Sequence, residues 1–145
     1  MEKLNFSIKI NAPRKKVWSV LFDDPTYRNW TSVFAPGSYA ETDWKEGSKA
    51  LFLDGKGNGM VSRIAKSNPH EYLSINHIGI IKDGIEDTQS DEVKKWAGAL
   101  ENYTLNENSG VTELKIDMDS DNEYKDYFSK TWPKALEKVK ELSEK

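Results

Sequence analysis

Residues 8–30, IKINAPRKKVWSVLFDDPTYRNW, decide how this chain is read. Just ahead of and into this stretch, Leu4, Phe6, Ile8 and Ile10 alternate with Asn5, Ser7 and Lys9. That is the period of a strand with one buried face. Asn11-Ala12-Pro13 stops the strand, and Pro13 fits the first turn of a helix, where its missing N–H costs nothing. Val17, Trp18, Leu21 and Phe22 follow at helical spacing, which predicts a helix over Arg14–Phe22. Asp23-Asp24-Pro25 breaks it and starts another, with Asp24 able to cap the new N-terminus and Pro25 to sit in its first turn. Tyr27, Trp30, Val33 and Phe34 share one side of this second helix, and Ala35-Pro36-Gly37 ends it. No catalytic motif lies here. A strand running straight into two short helices reads as one wall of a container, with Trp18 and Trp30 facing inward.

Working outward, the middle of the chain reads as strands. Residues 38–43 and 49–54 flank Trp44-Lys45-Glu46-Gly47, and Asp54-Gly55-Lys56-Gly57-Asn58-Gly59 makes a second turn. Residues 59–66 and 71–81 are further strands, split by Asn68-Pro69. Residues 82–95 are polar and acidic and read as a loop, with a helical turn near residues 92–96. Residues 99–106 and 111–118 form a last hairpin across Glu107-Asn108-Ser109-Gly110. Then Tyr124, Tyr127, Phe128, Thr131, Trp132, Ala135, Leu136, Val139 and Leu142 recur every three or four residues. This predicts an amphipathic helix of about 20 residues, or about 30 Å, capped by Asp121 or Asn122. Pro133 lies inside it, removes one backbone bond and is expected to bend it. The order is therefore β-α-α, six strands, then a long helix. Strands in hairpin sequence make an antiparallel sheet, and the last helix is the only long one able to cover its apolar face. The expected class is α+β, a curved antiparallel sheet wrapped round a C-terminal helix, as one domain over residues 1–145.

Composition sets the outer limits. The charged fraction is 31%, mixed in sign with a net charge of -3, and the hydrophobic fraction is 37%. No Lys/Arg cluster provides the basic face that nucleic acid requires. No apolar run approaches the roughly 20 residues of a bilayer span, and residues 1–10 lack a signal layout. Cysteine is absent, which removes disulfides, thiol catalysis and thiolate metal sites. A cytoplasmic location is the default expectation. Five Trp, six Tyr and five Phe serve equally as core or as the wall of an apolar pocket.

The pattern I-x-A-P-x-x-x-V-W from Ile10 to Trp18, then Asp24-Pro25 and Trp30, resembles the START/SRPBCC helix-grip superfamily. Asp43-Trp44 with Gly47, Gly59 ahead of a strand, Pro69, E-x-Y-x-L from Glu101 to Leu105, and Trp132 with Leu136 continue the likeness in order. Within the superfamily the chain looks most like the branch related to the C-terminal domain of the heat-shock protein 90 ATPase activator. The resemblance spans nearly the whole chain. It implies a helix-grip fold and the habit of holding apolar small molecules between sheet and long helix; some such proteins are cyclases or hydroxylase components. It also brings a chaperone partner into view. The activator carries an additional N-terminal domain, for which 145 residues leave no room, and this argues against stimulation of a chaperone ATPase here.

The candidate ligand-binding residues follow from this frame. Trp30, Phe34, Phe52, Met60, Ile75, Tyr103, Trp132 and Leu136 supply apolar surface, and pockets share these residue types with cores. His77 falls on one strand face with Leu73 and Ile75, and Glu101 on one with Tyr103 and Leu105. A carboxylate or imidazole in an apolar cleft can orient a ligand or move a proton. Arg63 is placed to pair with Glu101. No metal or other cofactor is expected. His70 and His77 are no ligand set, and the run Asp117, Asp119, Asp121 departs from a calcium loop at its sixth position, Asn122, and its twelfth, Phe128. Gly55, Gly57 and Gly59 lack the ending of a phosphate loop, and no G-x-S-x-G is present. Lys134, Lys138 and Lys140 beside Glu137, Glu141 and Glu144 form a solvated helix face. The leading expectation is a non-catalytic binding module for a lipid-like or aromatic ligand. The alternatives are a cyclase- or hydrolase-like enzyme using Glu101 with His77 or Tyr103, and a co-chaperone-like partner-binding protein.

Overall fold

A computed structural model describes residues 1–145. β1 (Glu2–Ile10) follows the alternation, with Leu4 and Ile10 buried, Phe6 and Ile8 half-buried, and the residues between them exposed. Pro13 then stands at the head of α1 (Arg14–Phe22) in extended backbone. Asp23, also extended, separates α1 from α2 (Asp24–Thr31). Asp23 therefore takes the cap position expected of Asp24, although its side chain makes no capping bond. Asp24 lies in the first turn instead and pairs with Arg28 at 3.0 Å. α2 also stops earlier than the spacing predicts. The Ser32 hydroxyl donates to the Asn29 carbonyl at 2.6 Å and its N–H turns to that same carbonyl, local bonds that compete with helix continuation. Val33 and Phe34 thus sit on the turn after the helix, where the Phe34 N–H donates to the Thr31 carbonyl at 2.9 Å.

The remaining strands are β2 (Tyr39–Glu41), β3 (Lys49–Leu53), β4 (Gly59–Asn68), β5 (Tyr72–Lys82), β6 (Ile85–Asp87), β7 (Ala99–Asn108) and β8 (Val111–Ser120). All pairs are antiparallel, in the order β1-β8-β7-β5-β4-β3-β2, with β6 paired to β5. Seven strands follow the helices, one more than the sequence predicts. The extra one, β6, falls in the segment read as loop. Asp83 (φ 50°) and Gly84 (φ 78°) both take positive φ, the two-residue turn that closes a tight hairpin onto Ile85. Along a single edge, β5 pairs first with β7 at residues 72–77 and then with β6 at residues 80–82. α3 (Asp91–Lys94) is the expected helical turn, its head held where the Val93 N–H donates to the Ser90 hydroxyl.

α4 (Asn122–Ser143) runs through Pro133, which leaves the Ser129 carbonyl without its usual partner. The helix packs on β1, α1 and α2. Beneath it lies one cluster that includes Ile10, Val17, Leu21, Ile64, Leu73, Leu105, Leu114 and Val139, each at most 1% exposed. Each such aliphatic side chain contributes about 1.5–3 kcal/mol on burial. A bulge in β5 changes the phase of the sheet where it matters. Val61 opposes Gly79 while Ser62 opposes His77, so Ile78 is the extra residue. No helix is long and apolar enough to cross a membrane.

Candidate binding cavity

Between the sheet and the first half of α4 lies a cavity of about 540 Å³. That falls inside the range of about 300–1,000 Å³ typical of small-molecule sites. α2 and the turn after it supply Tyr27, Trp30 and Phe34; β3 and β4 supply Phe52 and Met60; β5 supplies His77 and Ile80; β7 supplies Glu101 and Tyr103; and α4 supplies Tyr127, Phe128 and Trp132. The cavity reaches the surface past Met1, Tyr124 and Tyr127, which line it and are 61%, 52% and 42% exposed.

The wall is mostly apolar and rich in aromatic rings, which pack on one another. Trp30 and Trp132 lie 6.0 Å apart, Phe34 meets Trp132 edge-on at 5.0 Å, and Tyr27 meets Trp30 edge-on at 5.5 Å. Spacings of this kind are favourable for aromatic pairs. Both indole N–H groups are used inside the protein. Trp30 donates to the Leu21 carbonyl at 3.1 Å, and Trp132 points its N–H at the Met118 sulfur, also at 3.1 Å.

One polar network interrupts this wall. Glu101 accepts from the Tyr103 hydroxyl and lies 3.1 Å from His77 Nε2, while His77 Nδ1 lies 2.6 Å from the buried Ser62 hydroxyl. A carboxylate can only accept, which assigns the Nε2 proton to His77; in the neutral ring Nδ1 then accepts from Ser62. Strand pairing creates the network: Ser62 opposes His77 across β4–β5, and Glu101 and Tyr103 are two apart on β7. Burial by itself raises the Glu101 carboxyl. The His77 hydrogen bond, the attraction that the protonated form of that ring exerts and the Tyr103 hydrogen bond outweigh it, leaving the carboxyl below its ordinary value. Burial first, then the Glu101 charge, pushes the Tyr103 and Tyr27 phenols upward, so both stay neutral. Glu101 keeps 19% of its side-chain surface open toward the cavity and His77 keeps 14%.

The predicted site residues divide in two. Trp30, Phe34, Phe52, Met60, His77, Glu101, Tyr103 and Trp132 line the cavity. Ile75 and Leu136 do not; at 1% and 3% exposed they belong to the filled core. Arg63 is not the partner of Glu101. It points the other way, donates to the Gly47 carbonyl at 3.1 Å and is exposed. Among the lining residues missing from the sequence expectation, two are instructive. Tyr27 precedes Trp30 by three residues on the same helix face, a signal already present in the spacing. Ile80 faces the cavity because the bulge at Ile78 shifts the alternation, and no local pattern announces that. No group of three or more His, Asp or Glu side chains is placed to hold a metal ion.

A curved antiparallel sheet closed by a C-terminal helix, with a cavity between them, defines a protein of the helix-grip class. The family model described as "Activator of Hsp90 ATPase homolog 1-like protein" matches residues 11–144, and the chain belongs to that family. Solved structures share the fold at low identity. Protein MLL2253 from Mesorhizobium loti is 14% identical with a TM-score of 0.74, over 97% of this chain and 96% of that one. The Aha1 dimer from Colwellia psychrerythraea is 18% identical with a TM-score of 0.70, over 99% and 97%. DynU16, from the dynemicin biosynthetic locus, is 13% identical with a TM-score of 0.72, over 97% of this chain; the match spans only 46% of DynU16. No protein of curated function has a matching sequence.

Proposed function

We propose that this chain binds an apolar small molecule, lipid-like or aromatic, in the cavity between the sheet and α4. The observation that carries the reading is the contrast within one wall. An apolar space of about 540 Å³, rich in aromatic rings, opens to the surface beside a core whose side chains are almost fully buried. A space of that size and lining is of the kind that holds small molecules. Titration with N-phenyl-1-naphthylamine, a neutral aromatic reporter, followed by 15N NMR, tests the reading. Binding is expected to move the Trp30 and Trp132 indole resonances and to leave Val17 and Val139 in place. A titration that moves neither indole overturns it.

A second reading, an acid–base enzyme, draws on the convergence of Glu101, His77 and Tyr103 in that same wall. Their bonding favours holding over chemistry. Glu101 accepts two protein donors and is a weaker base for it, while both His77 ring nitrogens already face protein partners. Turnover of a cavity ligand that is lost in Glu101→Gln supports the enzyme; release of the ligand unchanged supports the binding module.

A further inference from the structure

We propose that the cavity's occupant is a cationic amphiphile, with an apolar body against the aromatic wall and a protonated amine seated at Glu101. This rests on the cavity being a binding site and names the class of ligand it takes. Three observations carry it.

The first is the sign of the charges. Glu101 at the inner wall and Asp54, Asp119 and Asp121 nearer the opening all line the cavity, and no Lys or Arg does. A ligand carboxylate or phosphate reaching the inner wall meets the Glu101 charge and finds no Lys or Arg there to pair with, which makes its burial costly.

The second is the donor inventory. The indole N–H groups of Trp30 and Trp132 and the hydroxyls of Thr31, Ser38, Tyr103 and Tyr127 all point at acceptors of the protein itself. His77 has its two ring nitrogens turned to Glu101 and Ser62 and shows its ring edge-on to Phe52 at 5.9 Å. The Tyr27 hydroxyl makes no hydrogen bond within the protein and is a free donor of the inner wall, but as a neutral phenol it brings no charge. Glu101 takes two hydrogen bonds where a carboxylate offers about four lone-pair directions, which leaves room for a donor from the ligand.

The third is the aromatic rings that line the cavity with that carboxylate. Tyr103 is bonded to it through its hydroxyl, and Tyr27 and Phe52, 6.4 Å apart, share the same lining. Aromatic faces about 6 Å from a cation attract it, most strongly where water is excluded. An ammonium at this point meets a carboxylate and ring faces together, whereas a neutral alcohol meets only a hydrogen-bond acceptor. The N-terminus of α4, which favours anions, is already occupied by Asp121 and Glu123.

The test uses three compounds of one skeleton: 2-(1-naphthyl)ethylamine, 2-(1-naphthyl)ethanol and 1-naphthylacetate. Each is titrated into the full chain at neutral pH and followed by calorimetry. The amine is expected to bind about tenfold more tightly than the alcohol, and the acetate more weakly than either. In Glu101→Gln the ratio of amine to alcohol affinity is expected to fall about tenfold, to near one. An acetate that binds as tightly as the amine overturns the cationic ligand and leaves the cavity reading standing; so does an amine advantage that survives Glu101→Gln. Failure of all three to bind overturns both. Should Glu101→Gln fail to fold, the ranking of the three compounds on the native chain decides alone.

Discussion

The two halves of α4 rest against the same sheet and behave differently. From Thr131 onward the helix is core: Thr131, Trp132, Ala135, Leu136, Val139 and Ser143 are buried. Before Thr131 no residue of α4 is buried, although Tyr124, Tyr127 and Phe128 continue the same apolar stripe. The second half closes on α1 and the Ile10 end of β1, where Val17, Val20 and Leu21 fill the space. The first half spans Phe52, Met60, His77 and Glu101 without filling it, and the cavity is what remains. Pro133 lies next to the changeover. Helical spacing tells which side of a helix looks inward. It does not tell whether anything meets it there.

The contrast breaks most easily at Leu136 and Tyr124. Leu136→Ala in the filled half should cost about 2–5 kcal/mol in urea denaturation, as buried leucines do when the surroundings cannot collapse. Tyr124→Ala, over the opening, should change stability by no more than about 0.5 kcal/mol while altering reporter binding. Equal losses at the two positions would mean that the first half of α4 packs down in solution.

The wall opposite α4 gives a smaller effect. Gly59 begins β4 and lines the cavity, and a Cβ there would stand 1.8 Å from the Phe52 carbonyl oxygen. Gly59→Ala must therefore push β3 and β4 apart. A cost of about 1–3 kcal/mol is expected, together with NMR shifts at Phe52 and Met60 and none at Leu136. Shifts that spread evenly through α4 would show the two regions to be mechanically one. Smaller again is Tyr103→Phe, which removes one donor from Glu101. The cost should be about 1 kcal/mol, since the freed carboxylate oxygen still meets cavity water. A loss of twice that would place Glu101 in a dry interior.

Much of this arrangement is legible in the sequence, for identifiable reasons. Period two in β1, the prolines ahead of α1 and within α2, and the stripe of α4 are local signals, and the structure follows them. Alternation also places His77 with Ile75, and Glu101 with Tyr103, on the face that covers the core and cavity. The failures are those of local signals meeting non-local constraints. The polar tone of residues 82–95 masks Asp83-Gly84, a hairpin turn that makes β6 possible only because β5 has a free edge beyond β7. The stripe through Phe34 suggests helix to its end, but the chain turns at Ser32, whose N–H and hydroxyl both go to the Asn29 carbonyl. Ser62 becomes the partner of His77 through strand pairing alone, and Ile80 turns inward through a bulge. Ile75 and Leu136 share residue type and direction with Phe52 and Trp132, so nothing in the chain separates filled from open. That distinction belongs to the space between elements.

Acid titration gives the smallest effect and isolates the charge in the open region. The Glu101 carboxyl lies below its ordinary value of 4.5 in the folded chain. A depressed carboxyl binds its proton less readily folded than unfolded, so its contribution to stability is complete above the unfolded value and drains away as pH falls through the folded one. Glu101→Gln lacks that contribution. The stability difference between native chain and variant should therefore be level at about pH 5 and shrink toward pH 3, below the range in which imidazoles ordinarily titrate. Leu136→Ala serves as the control from the filled half, and its difference should stay flat over the same interval, because no charge changes there. A Glu101 difference that widens on acidification would have the opposite meaning. The desolvation of the carboxylate would then outweigh its hydrogen bonds from His77 and Tyr103, and the open region would hold a carboxyl ready to give up its charge.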